Sequence, residues 1–348
     1  MRIPLGQPGG FDTIIDARSE DEYALDHLPH AVNWPSLNNT ERITVGTMYK
    51  QLGGFEAQKH GAALVAANIS KHIQSHVLDL PRNWQPLIYC WRGGKRSGSL
   101  AMVLGQIGFK INLIEGGYKA FRAAMLEDIA LIAPSFQYQV ISGPTGSGKT
   151  RLLQALKMEG AQVLDLEDLA QHRSSVLGHI PGQPQPSQKH FDMLVWQTLK
   201  QFDPTRVVFT ESESRKVGNL SIPDPVMLAM RNSPCHELLL PLQERVALLM
   251  EDYSFFVTDP NLFCKRLDAL VAIRGKAVVE EWKAQVQQGK FEPVVHALLE
   301  THYDPTYASS MRRNFARFES HKVCEAINRN EETMGLLARG LIASTTGT

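Results

Sequence analysis

Residues 143–150 read Gly-Pro-Thr-Gly-Ser-Gly-Lys-Thr, which is the phosphate-binding P-loop pattern G-x-x-x-x-G-K-T. The β-branched and aromatic run 136–141 precedes the loop and predicts a strand, and 151–156 continues as a helix. A strand that turns through glycines into a helix directs several backbone N–H groups at one anion, and the helix dipole adds to that field. The motif therefore predicts a polyphosphate or pyrophosphate site, without deciding whether the ligand is hydrolysed.

Within this loop the predicted diphosphate-binding residues are Gly143, Gly146, Gly148, Lys149 and Thr150. The ammonium group of Lys149 would reach a terminal phosphate. The hydroxyl of Thr150 would hold Mg²⁺ if a metal is bound. We expect no tightly bound cofactor beyond such an ion.

Charged residues follow two later predicted strands. Glu211, Glu213 and Arg215 come after the strand predicted at 206–210, and His172 and Arg173 come after the strand predicted at 161–166. An acid at the end of a strand that follows a P-loop is typical of a Walker-B-type metal ligand. These five residues are candidate metal or substrate contacts. A solvated acidic turn and ordinary surface side chains explain them about equally well from position alone.

Length and composition indicate an ordinary globular protein with two domains. The chain has 348 residues, 43% of them hydrophobic, and a formal net charge of zero, so global charge indicates no nucleic-acid partner. The four cysteines are far apart and form no C-x-x-C pair, so neither a zinc site nor a disulfide framework is indicated. No apolar run is long enough for a membrane span. We expect a cytoplasmic protein with no membrane partner.

A second chemical motif lies in the first half of the chain, where Cys90 ends a predicted strand. The residues that follow are Trp-Arg-Gly-Gly-Lys-Arg-Ser, and a helix is predicted from Ser97. Backbone N–H groups, a helix N-terminus and nearby cations lower the pKa of a thiol and make it a nucleophile. Cys90 is therefore the candidate catalytic residue. Arg92, Gly93, Gly94 and Arg96 are the candidate anion loop. A buried structural cysteine beside a basic turn is the less favoured alternative, because inert cysteines rarely lie among three cations on a strand-to-helix turn.

The residues of this half resemble a rhodanese domain. The resemblance rests on Asp16-Ala17-Arg18, on 27–31, on the Cys90 loop and on Glu115-Gly116-Gly117-Tyr118. Rhodaneses carry sulfur as a persulfide on the loop cysteine. The spacing from Cys90 to Arg96 is one residue longer than in many rhodanese loops and is similar to that of phosphatase loops. Our hypothesis is that the loop accommodates a larger oxyanion, which phosphate protection of Cys90 against alkylation would test.

The predicted fold class is α/β, because strands alternate with helices in both halves. We predict a rhodanese-like parallel-sheet domain at 1–134. A P-loop NTPase-like α/β domain with a helical C-terminal region is predicted at 135–348. In that region 262–273 is predicted as one helix, and Tyr303-Asp304-Pro305-Thr306-Tyr307 as a turn.

A local basic segment follows the predicted turn. It contains Arg312, Arg313, Arg317, His321 and Lys322, interleaved with Tyr307, Phe315 and Phe318. Cations and aromatic rings in this arrangement can bind RNA through phosphate contacts and stacking. A solvated helix face with buried aromatics is the interpretation that the pattern favours.

The combination of the two domains resembles the tRNA 2-selenouridine synthase family over nearly the whole chain. Segments that carry the resemblance include 38–42, 45–51, 165–167, 185–188, 211–218 and 303–305. Ser174 is a departure, since the family usually has glycine after His-Arg. The resemblance implies that a thiolated wobble uridine in tRNA is alkylated with geranyl diphosphate, and that selenium from selenophosphate then displaces the geranylthiol. It also implies a selenophosphate-producing enzyme as a transient partner, and a selenophosphate contact for Arg92 and Arg96.

Three alternatives remain open on the residues alone. The first is a Cys-x5-Arg phosphatase joined to a nucleotide-binding P-loop domain, and turnover of a phosphate ester would favour it. The second is a rhodanese-type sulfurtransferase that a P-loop domain regulates. A thiosulfate-dependent persulfide on Cys90, with no RNA product, would favour it. The third is a tRNA-binding, nucleotide-sensing module without enzymatic activity, which would bind tRNA tightly and leave every nucleoside unmodified.

Overall fold

The computed structural model describes residues 10–173, 178 and 180–345, so Ser174 lies outside the described residues. The chain forms two compact units, residues 1–128 and 129–348. The helix at Gly117–Ile132 runs from the first unit into the second. The domain limits of 1–134 and 135–348 that the sequence suggests stay a prediction.

The first unit is built on a four-stranded parallel sheet with the order β2-β1-β3-β4. Its strands are β1 Thr13–Asp16, β2 Ala31–Asn33, β3 Pro86–Tyr89 and β4 Asn112–Leu113. Its helices are α1 Glu20–Leu25, α2 Asn39–Leu52, α3 Gly54–His76, α4 Lys95–Ile107 and α5 Gly117–Ile132. Strand β3 lies in the interior of the sheet and is buried along its length, so Cys90 emerges from the centre of the sheet's carboxyl edge.

The second unit contains a five-stranded parallel sheet with the order β11-β10-β5-β7-β6. These strands are β5 Tyr138–Ser142, β6 Gln162–Leu164, β7 Val208–Glu211, β10 Cys235–Leu239 and β11 Lys322–Glu325. A small antiparallel hairpin joins β8 Lys216–Val217 to β9 Leu220–Ser221. Strand β5 is the central strand, and it leads directly into the P-loop. This position places the loop at the carboxyl edge, where open parallel sheets bind their ligands.

Helices surround the second sheet and extend beyond it. Those before the helical region are α6 Lys149–Met158, α7 Leu166–Ala170, α8 Gln188–Gln201 and α9 Asp224–Arg231. The later ones are α10 Leu242–Asp252, α11 Ser254–Thr258, α12 Pro260–Leu267, α13 Val271–Arg274, α14 Lys276–Gln287, α15 Phe291–Leu298, α16 Asp304–Asn314 and α17 Glu331–Thr345. Helix α17 packs on α6 through Met334, Ala338 and Leu341. The predicted α/β class with a helical C-terminal region is confirmed.

One local prediction in the helical region is wrong. Residues 303–307 are helical, because a π-helical turn at Leu299–Tyr303 leads directly into α16. Pro305 lies in the first turn of α16, directly after the π-helical turn, a position where helices tolerate proline. The segment 262–273 is helical as predicted, and it consists of α12, a 3₁₀ turn at Asp268–Leu270 and α13.

The basic segment does not present its phenylalanines to solvent. Phe315 and Phe318 are 4% and 5% exposed, so neither ring is available to stack on a base. His321 pairs with Glu237 at 3.0 Å, and Arg312 pairs with Glu319 at 3.4 Å on the surface. Lys322 begins β11, an edge strand that the sequence did not predict. The favoured interpretation, a solvated face with buried aromatics, agrees with this arrangement.

No helix among the described residues has both the length and the apolar character that a membrane crossing requires.

Candidate active sites in the two units

The Cys90 side chain is buried at the end of β3, with 3% of its surface exposed. The Ser97 hydroxyl donates to its sulfur at 3.1 Å from the first turns of α4. Burial alone would raise the pKa of the Cys90 thiol. Hydrogen bonds from the Ser97 hydroxyl and from the backbone N–H groups of Ser97, Gly94 and Arg92 outweigh burial, and the pKa is lower than that of an ordinary thiol. The loop is thus arranged to stabilise a thiolate.

The sequence predicted that nearby cations would lower the pKa of Cys90, and the structure places these cations differently. Arg96 lies in the first turn of α4, where its guanidinium donates to Glu22 at 2.6 Å. Arg42 also contacts Glu22, at 3.1 Å. Arg92 and Lys95 are exposed beside the loop. Hydrogen bonds therefore account for most of the low pKa of Cys90, and the selenophosphate contacts of Arg92 and Arg96 stay a prediction.

The first turn of α5 supports the Cys90 loop through backbone hydrogen bonds. Tyr118 N donates to Cys90 O at 2.8 Å, and Lys119 N donates to Trp91 O at 3.0 Å. The ring of Tyr118 lies under the Arg18 guanidinium at 4.0 Å, and its hydroxyl donates to Asp26. Arg18 is itself paired with Asp16 in the core. The rhodanese-like segments of the sequence thus meet in one network behind the thiol.

Gly117 is required by this close approach. Its φ is +60°, and a Cβ at this position would overlap the Cys90 carbonyl oxygen and lie 2.5 Å from Gly93 N. We expect Gly117→Ala to lower the free energy of unfolding by at least about 2 kcal/mol, because backbone strain and overpacking combine. Urea unfolding measures this effect.

Gly98 provides the matched control for that substitution. It lies inside α4, and a Cβ there has no neighbour within 4 Å. Gly98→Ala should leave stability unchanged or raise it by about 0.5–1 kcal/mol, because alanine favours the helix. Equal stabilities of the two variants would contradict the proposed support of the loop by the turn.

Ser97 offers a direct test of how the thiol is activated. Loss of its hydroxyl in Ser97→Ala removes a donor to the sulfur, so the pKa of Cys90 should rise. At any pH below the new pKa the thiolate fraction falls, and alkylation of Cys90 by iodoacetamide should slow. The midpoint of the pH–rate profile should move to higher pH. Ser99→Ala, on the same helix, is the control, and a Ser97→Ala profile that matches wild type would refute this account.

In the second unit the P-loop glycines adopt the conformations that the motif requires. Gly143, Gly146 and Gly148 have φ values of +151°, +77° and +91°. A Cβ on Gly143 would meet the Ser147 hydroxyl at 2.5 Å and Leu238 O at 2.6 Å, so only glycine fits there. The Lys149 ammonium donates to Gly143 O at 2.8 Å and lies across the loop. The loop therefore has the geometry of a phosphate cradle.

The P-loop borders a cavity of about 380 Å³ in the second unit. Lys149, Arg151 and Arg173 contribute cations to its wall. Arg173 donates to the backbone oxygen of Asp252, and its guanidinium lies 4.9 Å from the ring centre of Tyr253. The predicted substrate contact at Arg173 thus lies in the same cavity as Lys149. Glu167 and Asp252 also line the cavity, so three cations face two carboxylates, and the small excess of positive charge suits a diphosphate.

Acidic residues occupy the neighbouring strand ends. Glu211 and Glu213 are only 2% and 4% exposed, so the alternative of a solvated acidic turn is wrong for both. The Glu211 carboxylate accepts from Glu167 N at 2.8 Å. Burial raises its pKa well above the usual range, and the charges of Asp165, Glu213 and Glu167 add to the effect. Burial also raises the pKa of Asp165 to about 6.

The fit of Mg²⁺ to this region depends on oxygen ligands near the loop. The Thr150 hydroxyl lies 3.5 Å from a Glu167 carboxylate oxygen, and Oε2 of Glu211 has no hydrogen-bond partner among the described residues. No group of three or more histidine, cysteine or acidic side chains in the described part of the chain has the spacing of a metal cage. Mg²⁺ commonly uses one or two protein ligands together with phosphates and water. Thr150 and Glu167 therefore suit such an ion.

The remaining candidate residues, His172 and Arg215, line different cavities of the second unit. His172 lines a second cavity of about 290 Å³, which Thr150, Glu167 and Arg173 also border. Arg215 is exposed, pairs with Asp224 at 2.9 Å and lines a separate groove with Pro134 and Leu228. The structure thus brings His172 and Arg173 to the P-loop region and places Arg215 elsewhere in the second unit.

Two residues that the sequence did not single out brace the P-loop. Arg245 on α10 donates to Thr145 O at 2.8 and 3.0 Å, and it pairs with Asp304 at 2.6 Å. Asp304 belongs to the segment 303–305 that carries the family resemblance, so the sequence did contain a signal for its importance. Glu167, which borders both cavities, also lies in such a segment.

Comparisons with known proteins agree with both units. A model described as the tRNA 2-selenouridine synthase AAA domain matches residues 136–264, and the rhodanese-like domain model matches residues 5–124. A tRNA 2-selenouridine synthase of Nitrosomonas europaea is 38% identical over 69% of this chain and 63% of its own length. Those of Sulfurovum sp. and Bdellovibrio bacteriovorus are each 30% identical, over 87% and 90% of this chain and 90% and 94% of their own lengths. The chain therefore spans less than two thirds of the first relative and nearly all of the other two.

Proposed function

This chain belongs to the tRNA 2-selenouridine synthase family, and we propose that it converts 2-thiouridine at the wobble position of tRNA into 2-selenouridine. The observation that carries the proposal is the 30% identity to a named synthase over 90% of the chain. The thiolate-stabilising Cys90 loop and the cationic P-loop cavity support it, because selenium transfer and diphosphate chemistry are the two reactions required.

The proposed first step is alkylation. The 2-thio sulfur attacks the first carbon of geranyl diphosphate, the carbon–oxygen bond breaks, and diphosphate leaves with the electron pair. Lys149 is positioned to stabilise the charge that develops on this leaving group. Mg²⁺ held by Thr150 and Glu167 would supply further positive charge to the diphosphate when it is bound.

The proposed second step replaces sulfur by selenium. Selenium from selenophosphate attacks C2 of the alkylated base, geranylthiol leaves, and water releases the phosphate. The low pKa of Cys90 favours a thiolate, which is suited to guide selenium by accepting the proton of selenophosphate as selenium attacks. A separate enzyme would supply selenophosphate, and another would thiolate the tRNA. We therefore propose that the reaction takes place in the cytoplasm.

The test is mass analysis of nucleosides from thiolated tRNA after incubation with the protein, geranyl diphosphate and selenophosphate. Each reagent is also omitted in turn. S-geranyl-2-thiouridine should form without selenophosphate, and 2-selenouridine should form only with both reagents. Unchanged thiouridine in the presence of folded protein that binds the tRNA would refute the proposal.

A further inference from the structure

We propose that an apolar pocket beside the P-loop binds the prenyl chain of the diphosphate substrate. The pocket has a volume of about 40 Å³, and every lining residue except Thr145 is aliphatic or aromatic. This inference rests on the proposed function, and it assigns the part of the site that holds the hydrocarbon. An apolar chain gains free energy in proportion to the apolar area that it removes from water.

The pocket belongs to the core of the helical region. Phe256, Phe263, Leu298 and Leu299 form its inner wall and are at most 4% exposed. Val295 is half-buried at its edge. A ligand that enters therefore leaves water and contacts side chains of the packed helices α11, α12 and α15.

The pocket and the P-loop cavity are neighbours in the second unit. Thr145, Leu249 and Tyr253 line both of them. Leu249 also packs on the loop itself, because a Cβ on Gly146 would lie 3.1 Å from Leu249 Cγ. A molecule with its diphosphate on the P-loop thus has an apolar compartment next to it. This is the arrangement that a charged head joined to a hydrocarbon tail requires.

An irregular helix forms part of the pocket wall. The chain from Leu299 to Tyr303 is a π-helical turn, and both of these residues line the pocket. π-helical turns are rare and occur frequently at functional sites. Asp304, the next residue, pairs with the Arg245 that holds Thr145 O. The same segment therefore shapes the pocket and braces the P-loop.

The volume of the pocket predicts selectivity for chain length. It is small for a ten-carbon chain, so the rings of Phe256 and Phe263 must move when the chain enters. A farnesyl chain would displace more of the packed core than a geranyl chain, which carries a greater free-energy cost. We expect geranyl diphosphate to bind more tightly than farnesyl diphosphate.

The experiment compares the binding of geranyl diphosphate with that of inorganic diphosphate, measured by calorimetry on the full chain. Val295→Trp fills the edge of the pocket, and the larger ring is tolerated because the site is half-buried. It should weaken geranyl diphosphate binding about tenfold or more and change diphosphate binding less than about twofold. His296→Trp is the matched control, because His296 is adjacent on α15 and does not line the pocket. It should leave both affinities unchanged.

Three outcomes of this experiment would test the pocket assignment. If Val295→Trp binds geranyl diphosphate as wild type does, the pocket assignment is wrong. If inorganic diphosphate binding is lost as well, Val295→Phe repeats the test with a smaller ring, and an equal loss for both ligands there overturns the assignment. A selective loss of geranyl binding in a protein that does not alkylate thiouridine would support the pocket and refute the proposed reaction.

Discussion

Cys90→Ala is expected to reduce selenium incorporation into tRNA by about 10²-fold or more while S-geranyl-2-thiouridine still forms. The reason is that the Cys90 sulfur is the atom toward which Ser97 and three backbone N–H groups direct their hydrogen bonds. Alanine removes the thiolate that guides selenium in the proposed second step. The P-loop cavity lies in the other unit of the chain, so geranylation should persist.

The variant should fold, because little else depends on the thiol. The Ser97 hydroxyl keeps a second acceptor, since Gly94 O lies 3.3 Å away. Cys264→Ala is the matched control. That cysteine is half-buried in the helical region of the second unit, and its replacement should leave both steps intact.

Nucleoside mass analysis separates the two products in one experiment. Loss of both products in a folded Cys90→Ala protein would refute the division of labour between the units. Selenium incorporation at the wild-type rate would show that the thiol is not required, and the buried-cysteine interpretation would then apply.

The two chemical motifs were predictable because each is contiguous in the chain. The P-loop encodes its strand, its glycine turn and its helix within a short stretch, so local physics is enough to define it. The same holds for Cys90, whose hydrogen-bond donors come from the following residues up to Ser97. A motif whose residues are close together in the sequence can be recognised without knowledge of the tertiary fold.

The partners that come from distant parts of the chain were not predictable. Glu22 reaches Arg96 across 74 positions, and Arg245 reaches Thr145 across 100. Charge patterns along the chain do not specify such pairs, because any acid could meet any base. The burial of Glu213 has the same origin, since only the packed second unit shows that the chain beyond β7 stays inside.

The prediction of a turn at 303–307 was wrong because proline has opposite effects at different positions of a helix. Pro305 ends a helix when it lies in the interior and suits a helix when it lies in the first turn. Tertiary contacts favour the second case, since Asp304 is held by Arg245 and the π-helical turn before it packs into the core. Sequence alone could not weigh these contacts.

Lys149→Ala is expected to lower kcat/KM for geranylation by about 10²–10³-fold, the usual cost of losing a group that stabilises developing charge. In the structure its ammonium group spans the loop to Gly143 O at 2.8 Å, so it is already held where a phosphate would bind. Lys265→Ala, an exposed lysine on α12, is the control and should have no effect. Unchanged geranylation in Lys149→Ala would count against the P-loop assignment.

The same variant tests whether the steps are separable. When tRNA that already carries S-geranyl-2-thiouridine is supplied, Lys149→Ala should form 2-selenouridine at close to the wild-type rate, because no diphosphate has to leave. Cys90→Ala should fail on this substrate. A mixture of the two variants with thiolated tRNA should then restore the full conversion if the alkylated tRNA passes between molecules. Failure of Lys149→Ala on the alkylated substrate would mean that the P-loop also serves the selenium step, and the proposed division of the two steps would be wrong.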